Sequence, residues 1–234
     1  MLWRDTSFPG PGEVFAGDFV LFAFVVCGWI ASVALHEFAH AVVAFRFGDR
    51  SVADKGYLDL DFRRYADPML SLALPVIFVI IGGIGLPGGA VWINRAAIPS
   101  RWAQSAVSLA GPATNLVLGG ILLWFADLDL WFSHPRFAAA LSFLGFLQIA
   151  AAILNLIPIP PLDGFGAIEP HLSMSARRRI APLRPWGMIL LFVILWGNDA
   201  ANDAFWGTVS WFVDGFGSDR VLAEVGWFRF RFWE

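Results

Sequence analysis

The sequence is poor in charge and almost devoid of cysteine. Of 234 residues only 15% are Asp, Glu, Lys or Arg, against about 25% in a soluble globular domain. That deficit leaves no room for a large water-soluble module. The net charge of −3 implies no general attraction to nucleic acid. The single cysteine, Cys27, excludes an intrachain disulfide framework and a cysteine-based zinc site within one chain. Inside an apolar run it reads as a small buried hydrophobe. The N-terminus, MLWRDTSFPGPGEVFAGD, lacks the basic-then-apolar order of a secretory signal, so the first apolar run is expected to remain as a membrane helix.

What is abundant is apolar surface. Hydrophobic residues make up 58% of the chain, with 12 Trp and 23 Phe, and the mean hydropathy is +0.65. Such aromatic richness suits lipid-facing surface and interfacial belts. Several runs approach or exceed the roughly 20 residues that cross a bilayer. The expected fold is an all-α polytopic membrane protein, a single domain over 1–234 with about 5–6 transmembrane or re-entrant segments. A short β-hairpin or extended element is expected near the functional site, because GYLDLDF alternates with period two and AVWI follows a glycine cluster.

The apolar segments are 19–45, 69–94, 104–126, 137–157, 185–196 and a shorter aromatic piece, 204–216. The tail GWFRFRFWE reads as an interfacial element or an edge strand packed on the protein. Basic residues concentrate in 46–67, 94–101 and 176–185, whereas 127–136 holds only Arg136 and the N-terminus only Arg4. By the positive-inside rule the three basic stretches lie in the cytoplasm. Segment 69–94 would break this pattern if it crossed completely. Its Gly82, Gly83, Gly85, Pro87, Gly88 and Gly89 allow it to turn back instead, which requires shelter by protein or a wet cavity at that depth.

The first segment contains HEFAH, with His36, Glu37 and His40 in an otherwise apolar stretch. Each ionisable group at membrane depth costs about 2.5–3.5 kcal/mol on insertion scales, so three within five residues call for a compensating function. Residues at i and i+4 share one helix face, where two imidazoles can bind one Zn²⁺ and the intervening Glu can serve as general base for an attacking water. A catalytic zinc takes a third protein ligand. His134 and His171 fall in loops, where solvated roles are expected. Asp163 is the strongest acidic candidate: it follows I-P-I-P-P-L, whose prolines end a helix and re-aim the chain.

HEFAH (36–40), AGPATN (110–115) and NLIPIPPLDG (155–164), in that order on three apolar segments, resemble the site-2 protease family of intramembrane zinc metalloproteases. The resemblance covers about residues 19–165, with weaker similarity in 166–234. It implies one zinc ion held by His36, His40 and Asp163, with Glu37 as catalytic acid/base. It implies substrate or oxyanion contacts for Asn155, and a site-lining, substrate-binding place for Asn115. Asp163 follows His36 by 127 residues (163 − 36), too few for a PDZ domain besides the linking helices, so a compact member is implied. The implied partners are transmembrane protein substrates and the lipid bilayer. The implied location is a prokaryotic plasma membrane, with the active site toward the cytoplasm. Two other classes fit parts of the pattern: a metal-binding membrane transporter, and an inactive scaffold homologue. The transporter would spread charges over several helices, and the scaffold would lack Glu37 or a ligand.

Overall fold

The computed structural model describes residues 11–59, 91–128, 134–218 and 220–231, and it is helical. Helix α1 (Pro11–Arg46) is followed by a short helical turn, α2 (Ser51–Asp54). The chain resumes at Val91 without regular structure, makes a 3-10 turn at Arg95–Ala97 and enters α3 (Arg101–Ala126). Then come α4 (Pro135–Asn155), α5 (Asp163–Ile168), α6 (Met174–Ile180), α7 (Gly187–Gly197), α8 (Asp199–Gly215) and α9 (Arg220–Phe230). Among the described residues four helices are long and apolar enough to cross a membrane: Asp18–Arg46, Arg101–Ala126, Pro135–Asn155 and Met174–Gly197.

Helix α4 is the hub. It is apolar around its whole circumference, the pattern of a helix buried on all sides, and 83% of its membrane window is covered by other parts of the chain. Small residues set its neighbours' distances, as expected where lipid supplies no hydrophobic drive. A Cβ on Gly28 of α1 would meet a Leu144 methyl at 2.4 Å, and one on Gly119 of α3 would lie 3.1 Å from the Gly145 carbonyl oxygen. Gly28 pairs with Leu144 and Gly119 with Gly145, while His36 and His40 lie beside Gly111. Helices α1 and α4 therefore run parallel, and α3 runs against both.

This arrangement brings the end of α1 to the start of α3. A Cβ on Gly48 would lie 2.9 Å from the Ala97 carbonyl oxygen, and Asn94 N–H donates to Asp49 Oδ2 at 2.6 Å. The chain between these points leaves and returns on one side of the bundle. The re-entrant turn expected for 69–94 falls mainly on residues outside those described.

Three expectations are corrected. No β-hairpin or strand occurs among the described residues: 56–59 form a turn, and 91–94 run without a ladder partner; residues 60–62 of GYLDLDF and Ala90 lie outside the described part. Cys27 is exposed, not buried, because it falls on the outer face of α1 between the inward Val25 and Trp29. The tail through Phe230 is helix, neither an edge strand nor a surface-lying element. Its Phe-Arg alternation hides a face at helical spacing, Ala223, Gly226 and Phe230, all buried. Phe230 packs on Phe22 and Phe143 at 5.1 and 5.4 Å, and Arg229 donates to Asp18 at 3.1 Å.

Candidate metal centre

Each element of the centre has a local reason for its place. Helix α1 presents His36 and His40 one turn apart. Helix α3 is started by Ser100, whose side chain accepts from Ala103 N–H at 3.3 Å. It carries Pro112, which cannot donate to the Ser108 carbonyl. Helix α4 ends at Asn155, just before Pro158. The chain then folds back so tightly that a Cβ on Gly164 would lie 2.1 Å from the Leu156 carbonyl oxygen. Only glycine fits there, and the fold-back aims Asp163, the first residue of α5, at α1.

The three candidate ligands meet. His36 Nε2 and His40 Nε2 lie 3.1 Å apart, and Asp163 Oδ2 stands 3.2 and 3.4 Å from them. Both imidazoles are set by bonds at the other ring nitrogen. His40 Nδ1 donates to the Val107 carbonyl at 2.6 Å, and His36 Nδ1 donates to Asn115 Oδ1 at 3.3 Å. The proton of each ring therefore sits on Nδ1, and each Nε2 directs a lone pair inward. Two lone pairs and a carboxylate oxygen converging this closely repel one another unless a cation lies among them. Donors placed ~2.0–2.1 Å from one tetrahedral Zn²⁺ lie about 3.3–3.4 Å from each other. The observed separations and the His₂-carboxylate donor set thus fit zinc, and among the described residues these three form a group that could hold a metal ion.

Glu37 is buried beside this group, at 5% exposure. It belongs to none of the ligand pairs, and its Oε2 accepts from Val91 N–H at 3.1 Å. Asn155 is buried at the end of α4. Asn115 lines the centre. Its carboxamide oxygen is taken by His36 Nδ1, so it orients a ligand. Replacing Asn115 by Ala is expected to weaken zinc binding about 10–100-fold without abolishing it, since the His40–Val107 bond remains; chelator competition measures this.

His171 and His134 stay outside the centre. His171 Nε2 lies 3.0 Å from Ser105 Oγ, and its ring packs on Trp102 at 4.6 Å. His134 is exposed at the start of α4. Three groups at the centre had no separate sign in the sequence. Gly111 touches both imidazoles: a Cβ there would lie 2.4 Å from each Nε2. The Val107 carbonyl holds His40. Arg95 ties α5 to α3, donating to the Gly166 carbonyl at 3.1 Å and to Ser108 Oγ at 3.0 Å. AGPATN pointed to the first of these only as part of a motif, and backbone groups carry no side-chain signature.

Comparison with known proteins bears on this geometry. The chain is 46% identical over 219 residues to "Putative zinc metalloprotease Rip2" of Mycolicibacterium smegmatis, covering 94% of this chain and 83% of the relative. It is 45% identical, with the same coverage, to the protein of that name from Mycobacterium tuberculosis. The chain belongs to the site-2 protease family. A more distant relative, "Putative zinc metalloprotease YwhC" of Bacillus subtilis, is 29% identical over 194 residues, covering 80% of this chain and 85% of its own length. No family model and no solved structure matches. As a site-2 protease family member with four apolar helices of spanning length, the chain is an integral membrane protein of metalloprotease type, and zinc is the metal its ligand group fits.

Proposed function

We propose that this chain is an intramembrane zinc endopeptidase that hydrolyses peptide bonds within transmembrane segments of other membrane proteins. The observation that carries the reading is the convergence of His36, His40 and Asp163, with Glu37 beside them, in a chain whose histidines and Glu37 sit on a helix long enough to span a membrane. His36, His40 and Asp163 would hold a zinc ion, which would supply a Lewis acid for the attacking water and for the scissile carbonyl. Glu37 takes the proton of that water and returns it to the leaving amine. Asn155 offers a carboxamide N–H to the developing oxyanion. Asn115 and the Val107 carbonyl hold the imidazoles in the tautomer the metal needs. The membrane is a prokaryotic plasma membrane, and the centre opens toward the cytoplasm, the side to which the basic stretches 46–67, 94–101 and 176–185 are assigned.

A transmembrane substrate arrives with its amides bonded within its own helix, so it must unwind locally before attack. Residues 91–94 run without a ladder partner beside the centre and offer a backbone edge that can receive the unwound stretch by strand addition. Replacing Val91 by Pro removes the N–H that Glu37 accepts and disrupts this edge. It is expected to lower cleavage about tenfold or more while zinc content, read by metal analysis, stays at the wild-type level.

The test of the function is reconstitution. Purified chain in lipid vesicles with a membrane-spanning peptide should release fragments whose new ends, by mass spectrometry, lie inside the apolar segment. A chelator should stop the release and zinc restore it. Fragments cut only outside the apolar segment would overturn the intramembrane reading. Neither a transporter nor an inactive scaffold would yield zinc-dependent fragments.

A further inference from the structure

The turn after α1 takes no part in the zinc chemistry, yet it contains a nearly inaccessible carboxylate. Asp49 is 1% exposed, a costly place for a charge unless its oxygens are bonded. Both are. Oδ1 accepts from Ser51 N–H at 3.0 Å and from the Ser51 hydroxyl at 2.6 Å. Oδ2 reaches across to the other segment and accepts Asn94 N–H at 2.6 Å. Further along the same turn, Lys55 Nζ donates to the Trp92 carbonyl at 2.8 Å. Gly48, at φ +118°, closes the group by letting the turn approach the Ala97 carbonyl.

The turn thus holds a stretch without regular structure at two backbone groups, the Trp92 carbonyl and the Asn94 N–H. Val91 N–H, one residue before Trp92, donates to Glu37 Oε2. The two grips have opposite polarity, a carboxylate on an N–H and an ammonium on a carbonyl, so together they fix both the height and the rotation of the segment, and with them the place of Val91 N–H.

We propose that Asp49 and Lys55 are positioning residues for Glu37, acting through residues 91–94; this rests on the protease function proposed above. The turn sets where Val91 N–H stands, that N–H occupies Oε2, and Oε1 is left aimed at the attacking water. Neither residue contributes to metal binding, and neither touches the reacting atoms.

The experiment compares wild type, Glu37→Gln, Asp49→Asn and Lys55→Met in lipid vesicles with a membrane-spanning peptide, measuring zinc content, kcat and KM. Asp49→Asn keeps the shape but turns one acceptor oxygen into a donor, so one of the two arms is lost. It is expected to lower kcat about 10–100-fold, the scale of a misplaced catalytic group, with zinc content and KM at wild-type values. Lys55→Met, at an exposed position, is expected to lower kcat about three- to tenfold with the same split. Wild-type kcat in both variants, beside an inactive Glu37→Gln, would overturn the proposal and leave the protease function standing. So would a raised KM at unchanged kcat, or zinc loss in step with activity in Lys55→Met. Should Asp49→Asn fail to fold, Lys55→Met alone decides. A wild type that cleaves nothing removes the protease function and this proposal together.

Discussion

Replacing Glu37 by Gln is expected to leave zinc bound and to reduce peptide cleavage by about 10²–10⁴-fold, the range of a lost general base. The substitution keeps volume and shape in a buried position. Glutamine can still offer its carbonyl oxygen to Val91 N–H, so residues 91–94 have no reason to move. The ligand group is untouched, because His36 and His40 are oriented by Asn115 and Val107 and neither depends on Glu37. What is lost is the second carboxylate oxygen, the one left free to accept a proton, since an amide nitrogen there can only donate. Metal analysis and cleavage of a membrane-spanning peptide, run on the same preparation, check both halves. Normal turnover at normal zinc content would falsify the role of Glu37 and with it the hydrolytic reading. Zinc lost together with activity would show that Glu37 supports the metal site.

Replacing Gly111 by Ala is expected to abolish zinc binding, with occupancy falling more than about tenfold and cleavage falling with it. One added methyl group would stand 2.4 Å from His36 Nε2 and from His40 Nε2, about 1 Å inside ordinary contact distance. Something must give, and α3 cannot withdraw. Its far half is locked on α4, where a Cβ on Gly119 would lie 3.1 Å from the Gly145 carbonyl oxygen and one on Gly145 would lie 2.9 Å from Leu123 Cγ. The imidazoles must turn instead, which breaks the bonds that hold their tautomers and separates their lone pairs. Overpacking of this kind costs about 1–3 kcal/mol, so the helices themselves should survive. Circular dichroism should therefore show wild-type helicity beside lost zinc. Gly207→Ala, where a Cβ meets nothing within 4 Å, serves as the control that retains both. Full zinc occupancy in Gly111→Ala would mean that α3 approaches the centre less closely than the structure shows.

The parts of this protein that were legible in the sequence are those encoded over one or two helical turns or by composition. The long apolar runs gave rise to α3 and α4 within three residues of their expected ends and to the end of α1 within one, though α1 starts at Pro11, eight residues before the expected 19, because a spanning helix needs only length and apolarity. His36 and His40 could be paired at a glance, since a spacing of four on a helix puts two side chains on one face. The prolines and glycine around Asp163 announced a break in the chain. The arginine count already favoured one side for 46–67 and 94–101, and the contact between Gly48 and Ala97 places the ends of the intervening chain side by side.

Other features depended on which residues far apart in sequence come to touch, and no local period records that. The tail was misread because Phe and Arg alternate over too few residues to separate period two from 3.6, and only the groove between α4 and α1 decides for the helix. Cys27 was misread because an apolar run does not say which of its faces meets protein and which meets lipid. That the Asn115 carboxamide meets His36 depends on α3 running against α1. Gly111 and Asp49 were a glycine and an aspartate among many. By itself the sequence determined a membrane-embedded helical protein with a two-histidine zinc motif, because hydropathy and helical spacing are local properties. Asp163 was named by its motif, but only the tertiary structure brings its Oδ2 within 3.2 and 3.4 Å of the two imidazoles, leaves room for them at Gly111 and carries a backbone N–H from Val91 to Glu37. Those are meetings between residues 54 to 127 positions apart, made by packing rather than by pattern.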